Sequence, residues 1–123
     1  MKRYVLVGAL LIIMLIGCAT YVFSERRVST LADLEACFEP PVTDAMVACI
    51  RAGVRQPLVE MPAYEMMRRV EVEYPLECHV IGHVVGQETF ALAHSAEQAF
   101  RSCQPASCVH ACTHGVVGEA LLT

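Results

Sequence analysis

Hydrophobic and polar positions divide the chain into two unlike stretches. Residues 4–23 form an apolar run of 20 without a charge, preceded by Lys2 and Arg3 and closed by Glu25, Arg26 and Arg27. A helix needs roughly 20 apolar residues to cross a bilayer core, so the run predicts a single transmembrane helix. The string Leu15-Ile16-Gly17-Cys18 gives the same run a second reading, a lipoprotein signal in which Cys18 is cleaved free and lipidated. The apolar letters continue past Cys18 through Tyr21, Val22 and Phe23, which favours the uncleaved anchor. Both readings place the following chain on the extracytoplasmic, periplasmic side, because Lys2 and Arg3 hold the N-terminus in the cytoplasm. The expected organisation is an anchor or signal segment over residues 1–27 and an extracytoplasmic helical domain over residues 28–123.

Beyond the anchor the pattern is helical. Thr30 suits the N-cap of a helix reaching Glu39, which Pro40-Pro41 must end. Thr43 suits the cap of a second helix to Ala52, with Gly53 as its stop and residues 55–61 as a linker. Pro62 opens a third helix over residues 64–74, where Met66, Val70 and Tyr74 share one face. Pro75 starts a fourth, over residues 76–94. Ser95 and Gln98 form a capping box for a short helix to Cys103, and Ser107 suits the cap of a last one over residues 108–122. No run alternates long enough to predict a strand. The fold class is all-α, a small domain of about five short helices. Met61, Met66 and Met67 read as flexible core filler, with a cuprous copper site as the alternative.

Charge and cysteine count narrow the function. Residues 28–123 carry five Arg against twelve Asp and Glu, and no basic cluster, which excludes a nucleic-acid binder. Six cysteines remain in this small exported domain, Cys37, Cys49, Cys78, Cys103, Cys108 and Cys112, so disulfides are expected. Cys37 and Cys49 sit on the two arms of a helical hairpin and are expected to pair. At least one further bond is expected among the other four.

The chemistry concentrates between Cys78 and His114, which contain all five histidines of the chain and four of its seven cysteines. His79-x-x-x-His83 and His110-x-x-x-His114 are each followed by Val-Val-Gly and then a glutamate, Glu88 or Glu119. On a helix residues four apart lie one turn apart on one face, the spacing at which two imidazoles reach a single ion. His79, His83, His110 and His114 are therefore the expected ligands. His94 stands 11 residues beyond His83, about 16 Å along a straight helix, and is excluded. In a helix over residues 108–122, Cys108 and Cys112 fall opposite the histidines, which assigns imidazoles to a cofactor and sulfurs to cross-links. Gly82, Gly86, Gly115 and Gly118 beside the histidines imply a close approach, by another backbone or by a flat cofactor.

These residues predict a metal ion (zinc, copper or iron) or haem. No C-x-x-C-H, C-x-x-C or H-E-x-x-H string occurs, which removes covalent haem attachment and the zinc-protease motif. A thiolate site built from Cys78, Cys103, Cys108 and Cys112 is a rival reading, and Cys78 beside His79 as a nucleophile is another. The expected function is metal or haem binding in electron transfer, metal handling, or as an accessory subunit of a membrane complex. The expected partners are the membrane and either a larger membrane complex or a redox partner. The alternatives are a cofactor-free, disulfide-stapled interaction module and a small metal-dependent enzyme using Glu88 or Glu119 as general base.

Overall fold

Among the described residues, apolar positions recurring every three or four build five α-helices: α1 (Asp44–Glu60), α2 (Ala63–Glu73), α3 (Cys78–Leu92), α4 (Ala96–Ser102) and α5 (Ala111–Ala120). Two 3-10 helices, Leu34–Phe38 and Cys108–His110, complete the architecture. The computed structural model describes residue 31, residues 34–39 and residues 43–123. The apolar run of residues 4–23, Cys18, the Thr30 cap and the Pro40-Pro41 break lie outside the described residues. Among those described there is no strand, and three disulfides join Cys37 to Cys49, Cys78 to Cys108 and Cys103 to Cys112. No helix among them is long and apolar enough to cross a membrane.

Thr43 caps α1 as its type predicts, its hydroxyl accepting the Met46 N–H at 3.5 Å. The helix does not stop at Gly53, however. It runs on to Glu60 with Pro57 inside it, so the expected linker is helical. Packing explains the difference. Met46, Ile50, Val54 and Pro57 make one buried stripe. Burying each large aliphatic side chain gains about 1.5–3 kcal/mol, against about 1 kcal/mol for an interior Gly and about 3 for an interior Pro. Tertiary burial wins.

The first predicted helix also differs. Its described part is a single 3-10 turn, held by a hydrogen bond from the Leu34 N–H to the Tyr74 hydroxyl (3.2 Å), by Phe38 against the Tyr74 ring, and by the Cys37–Cys49 bridge to α1. Pro62 caps α2, whose Met66, Met67 and Val70 are fully buried, so these methionines are core. In α4 half of the capping box forms: Ser95 Oγ accepts the Gln98 N–H, but Gln98 Oε1 reaches past the cap residue and accepts the N–H of His94 instead of that of Ser95.

α3 is the centre of the fold. It packs most extensively on α5, then on α1 and α2, and buries Cys78, Ile81, Gly82, Val84, Val85, Gly86, Glu88 and Thr89. Glu88 is only 6% exposed and pairs with Arg51 of α1 (2.8 Å) and more distantly with Arg55 (3.8 Å). That carboxylate is committed to an ion pair between helices.

The last helix departs most from expectation. α5 begins at Ala111, three residues after the predicted start, and Ser107 makes no side-chain cap. Cys108, Val109 and His110 are left-handed, with φ of 48°, 55° and 61°. A continuous right-handed helix would put Cys108 and Cys112 on one face, one turn apart. They instead bond to sulfurs on different elements, Cys78 at the start of α3 and Cys103 at the end of α4. The chain reverses its handedness between them.

Candidate metal centre

Two glycines set how close α3 and α5 come. A Cβ on Gly86 would stand 2.9 Å from the Gly115 Cα and overlap the Cys112 carbonyl. One on Gly115 would stand 3.0 Å from the Gly86 Cα and overlap the His83 carbonyl. Gly82 is similarly crowded, by Ala111 and Met67. These glycines therefore meet another helix and its backbone, and no slot for a flat cofactor opens beside them. Gly118 has nothing within 4 Å.

That crossing brings His83 of α3 opposite His114 of α5, and His79 lies one turn before His83. Ring centroids stand 4.9 Å apart for His79 and His83, 5.7 Å for His83 and His114, and 6.1 Å for His79 and His114. One ring nitrogen from each of the three can be chosen so that all lie within 4.8 Å of one another. His79 Nε2 and His83 Nε2 are 3.3 Å apart. Two imidazole nitrogens bound tetrahedrally to zinc at about 2.0–2.1 Å stand roughly 3.3–3.4 Å apart, so this pair is already at ligand spacing. His114 closes the set with a shift of an ångström or so.

The other nitrogen of His79 is also engaged. Nδ1 lies 3.1 Å from the Cys108 carbonyl oxygen, which can only accept, so Nδ1 carries the proton and donates it. Nε2 then presents a lone pair toward His83. A backbone carbonyl or carboxylate behind a ligating imidazole is the usual way of fixing its tautomer and ring plane. At His83, burial first and then the neighbouring His79 and His114 hold the pKa below the ordinary histidine value of 6.5. The imidazole nearest the crossing is thus kept neutral, the form that binds metal.

Of the four histidines singled out by spacing, the structure brings together His79, His83 and His114. His110 lies outside this group, because as the left-handed residue before α5 it is not helically related to His114. His94 is exposed beyond the end of α3 and is not part of the group. All six cysteines of the domain are cross-linked, which leaves no thiolate for the rival sulfur site and no free Cys78 nucleophile. Glu88 is held by Arg51 and Arg55, away from any role as a base beside the histidines. The Cys108 carbonyl is the one functional group that letters alone did not show. It is a backbone atom in a left-handed turn without a glycine to announce it.

Compared with family models, with curated proteins and with solved structures, the chain finds no match.

Proposed function

We propose that the chain is a membrane-anchored extracytoplasmic module that holds one exchangeable transition-metal ion, zinc or cupric copper, on His79, His83 and His114. The observation that carries this reading is the convergence of three imidazole nitrogens, one of them already oriented by a carbonyl behind it. An ion fits better than haem. Two axial haem ligands must approach opposite faces of a flat macrocycle, whereas the His79 and His83 nitrogens lie 3.3 Å apart on one helix. His79 and His114 are exposed, so a fourth coordination position faces solvent and the ion can exchange. That suits metal handling more than a buried structural site. The oxidised cysteines support an extracytoplasmic compartment, and the apolar run of residues 4–23 supports the anchor.

The test is calorimetric titration of the tag-free, oxidised chain with zinc and with cupric copper, alongside elemental analysis. One ion per chain is the expected result. A chain with three intact disulfides that takes up neither ion overturns the reading. It would then favour the cofactor-free module, which has one observation on its side: Gly82, Gly86 and Gly115 are fully explained by helix packing.

A further inference from the structure

We propose that the Cys78–Cys108 cross-link is the positioning device of the three-histidine site, so that its metal affinity depends on the redox state of that one disulfide. The inference rests on the metal-binding reading above. Cys78 immediately precedes His79 on α3, and the carbonyl of its partner Cys108 accepts the His79 Nδ1–H at 3.1 Å. His79 is thus bracketed by one bridge, through the chain on one side and through a hydrogen bond on the other.

The turn that carries this carbonyl is disfavoured on its own. Residues 108–110 all have positive φ and none is glycine, and a β-branched residue such as Val109 is among the least tolerant of that region. Burial of its last two residues does not hold it there: Val109 is 78% exposed and His110 is exposed, while the buried Ser107 hydroxyl just before the turn finds no hydrogen-bond partner. What ties it down is the packing of half-buried Cys108 against the core, the Ala111 N–H to the Cys108 carbonyl, the His79 bond and the sulfur bridge. The bridge is also reachable. Cys108 is half-buried, whereas Cys103 and Cys112 are both fully buried. The third bridge, Cys37–Cys49, joins elements that carry no histidine of the site.

The step needs a dithiol reductant. One of its thiolates attacks the Cys108 sulfur and forms a mixed disulfide, releasing Cys78 as a thiol after protonation. The second thiol then closes the reductant's own disulfide and frees Cys108. Two electrons and two protons pass to the protein. With the bridge open the turn relaxes toward the right-handed region, the carbonyl leaves Nδ1, and the His79 ring is free to rotate. Losing the partner behind a ligating imidazole typically weakens metal binding by about 10–100-fold.

The test uses the full chain and cobalt(II), whose visible spectrum reports the coordination of a zinc-type site. Serine replaces both cysteines, since freed thiols would bind the metal themselves. Cys78→Ser with Cys108→Ser should bind cobalt about tenfold or more weakly, whereas Cys37→Ser with Cys49→Ser should bind as the parent does. Adding Val109→Gly to the first pair should recover part of the loss, because glycine takes positive φ freely. Affinity of the Cys78/Cys108 serine pair within twofold of the parent overturns the proposal, as does a loss equal to that of the Cys37/Cys49 pair. A metal-free readout separates this inference from the function it rests on. Ring-nitrogen NMR should show His79 as the Nδ1–H tautomer in the oxidised chain and lose that preference as a dithiol is titrated in. That titration, followed on the folded species, also serves if the serine pair does not fold. An oxidised chain that binds no cobalt overturns the metal reading. A tautomer unmoved by reduction overturns the positioning role.

Discussion

In His79-x-x-x-His83 every residue belongs to α3, and the two rings meet edge to face at 4.9 Å. In His110-x-x-x-His114 the first residue is left-handed, α5 starts one residue later, and only His114 reaches the cluster. The two strings share their spacing and differ in backbone. Spacing of four places side chains on one face only where the chain between them is helical, and a covalent tie at residue 108 overrides that condition in the second string. The histidine pairs are therefore unequal: one brings two rings to the cluster, and the other brings one ring and leaves the second outside.

The most damaging way to probe this inequality is to delete single rings. His83→Ala or His114→Ala should weaken zinc binding by about a hundredfold or more, as loss of one of three ligands in an open site implies, while His110→Ala and His94→Ala should change it less than twofold. Calorimetric titration of the four variants decides. If His110→Ala costs as much as His114→Ala, the two strings are equivalent after all. Next in size is the helix crossing. Gly86→Ala forces a methyl into the Cys112 carbonyl and should destabilise the domain by about 1–3 kcal/mol in urea unfolding, even though alanine is the better helix former.

Acid should act more gently. His83 titrates below 6.5 in the folded chain and near 6.5 when unfolded, so between those values the unfolded state binds more protons. Stability of the metal-free protein should be full above about pH 6.5 and fall as pH drops through the lowered value, a dependence that His83→Ala should flatten. Denaturant midpoints at pH 7.5 and 5.5 check this. The smallest effect belongs to Gly118→Ala. With open space around it, the added methyl should stabilise α5 by about 0.5–1 kcal/mol, in contrast to Gly86 on the facing helix.

How much of this was legible in the letters varies with what decides each element. Capping chemistry is local, so Thr43 and Ser95 announced their helix starts correctly. The end of α1 is set by a core stripe that includes Val54 and Pro57, and no local rule about Gly53 could see it. The Cys37–Cys49 bond followed from a hairpin, which brings its two arms together whatever else the domain does. The remaining four cysteines allow three pairings, and spacing does not choose among them. That missing choice is also why the left-handed turn, the late start of α5 and the exclusion of His110 stayed hidden. His79 and His83 were legible because their helix is continuous, and His114 because it lies beyond the disturbed turn.

The placement of α3 carries a consequence for how an ion would be released. His83 projects from the most buried helix of the domain and His114 from the helix that packs on it most extensively. A metal held by both spans the principal interface of the core, so the two helices cannot part without breaking a coordinate bond. By mass action, free ion at a hundred times its dissociation constant adds about 2.7 kcal/mol against any opening that separates them. Release then has two routes of very different speed: stepwise exchange through the solvent-facing side of His79 and His114, or wholesale unfolding, which the ion itself retards. A partner that removes the metal would have to enter by the first route, offering its own ligand before any of the three lets go.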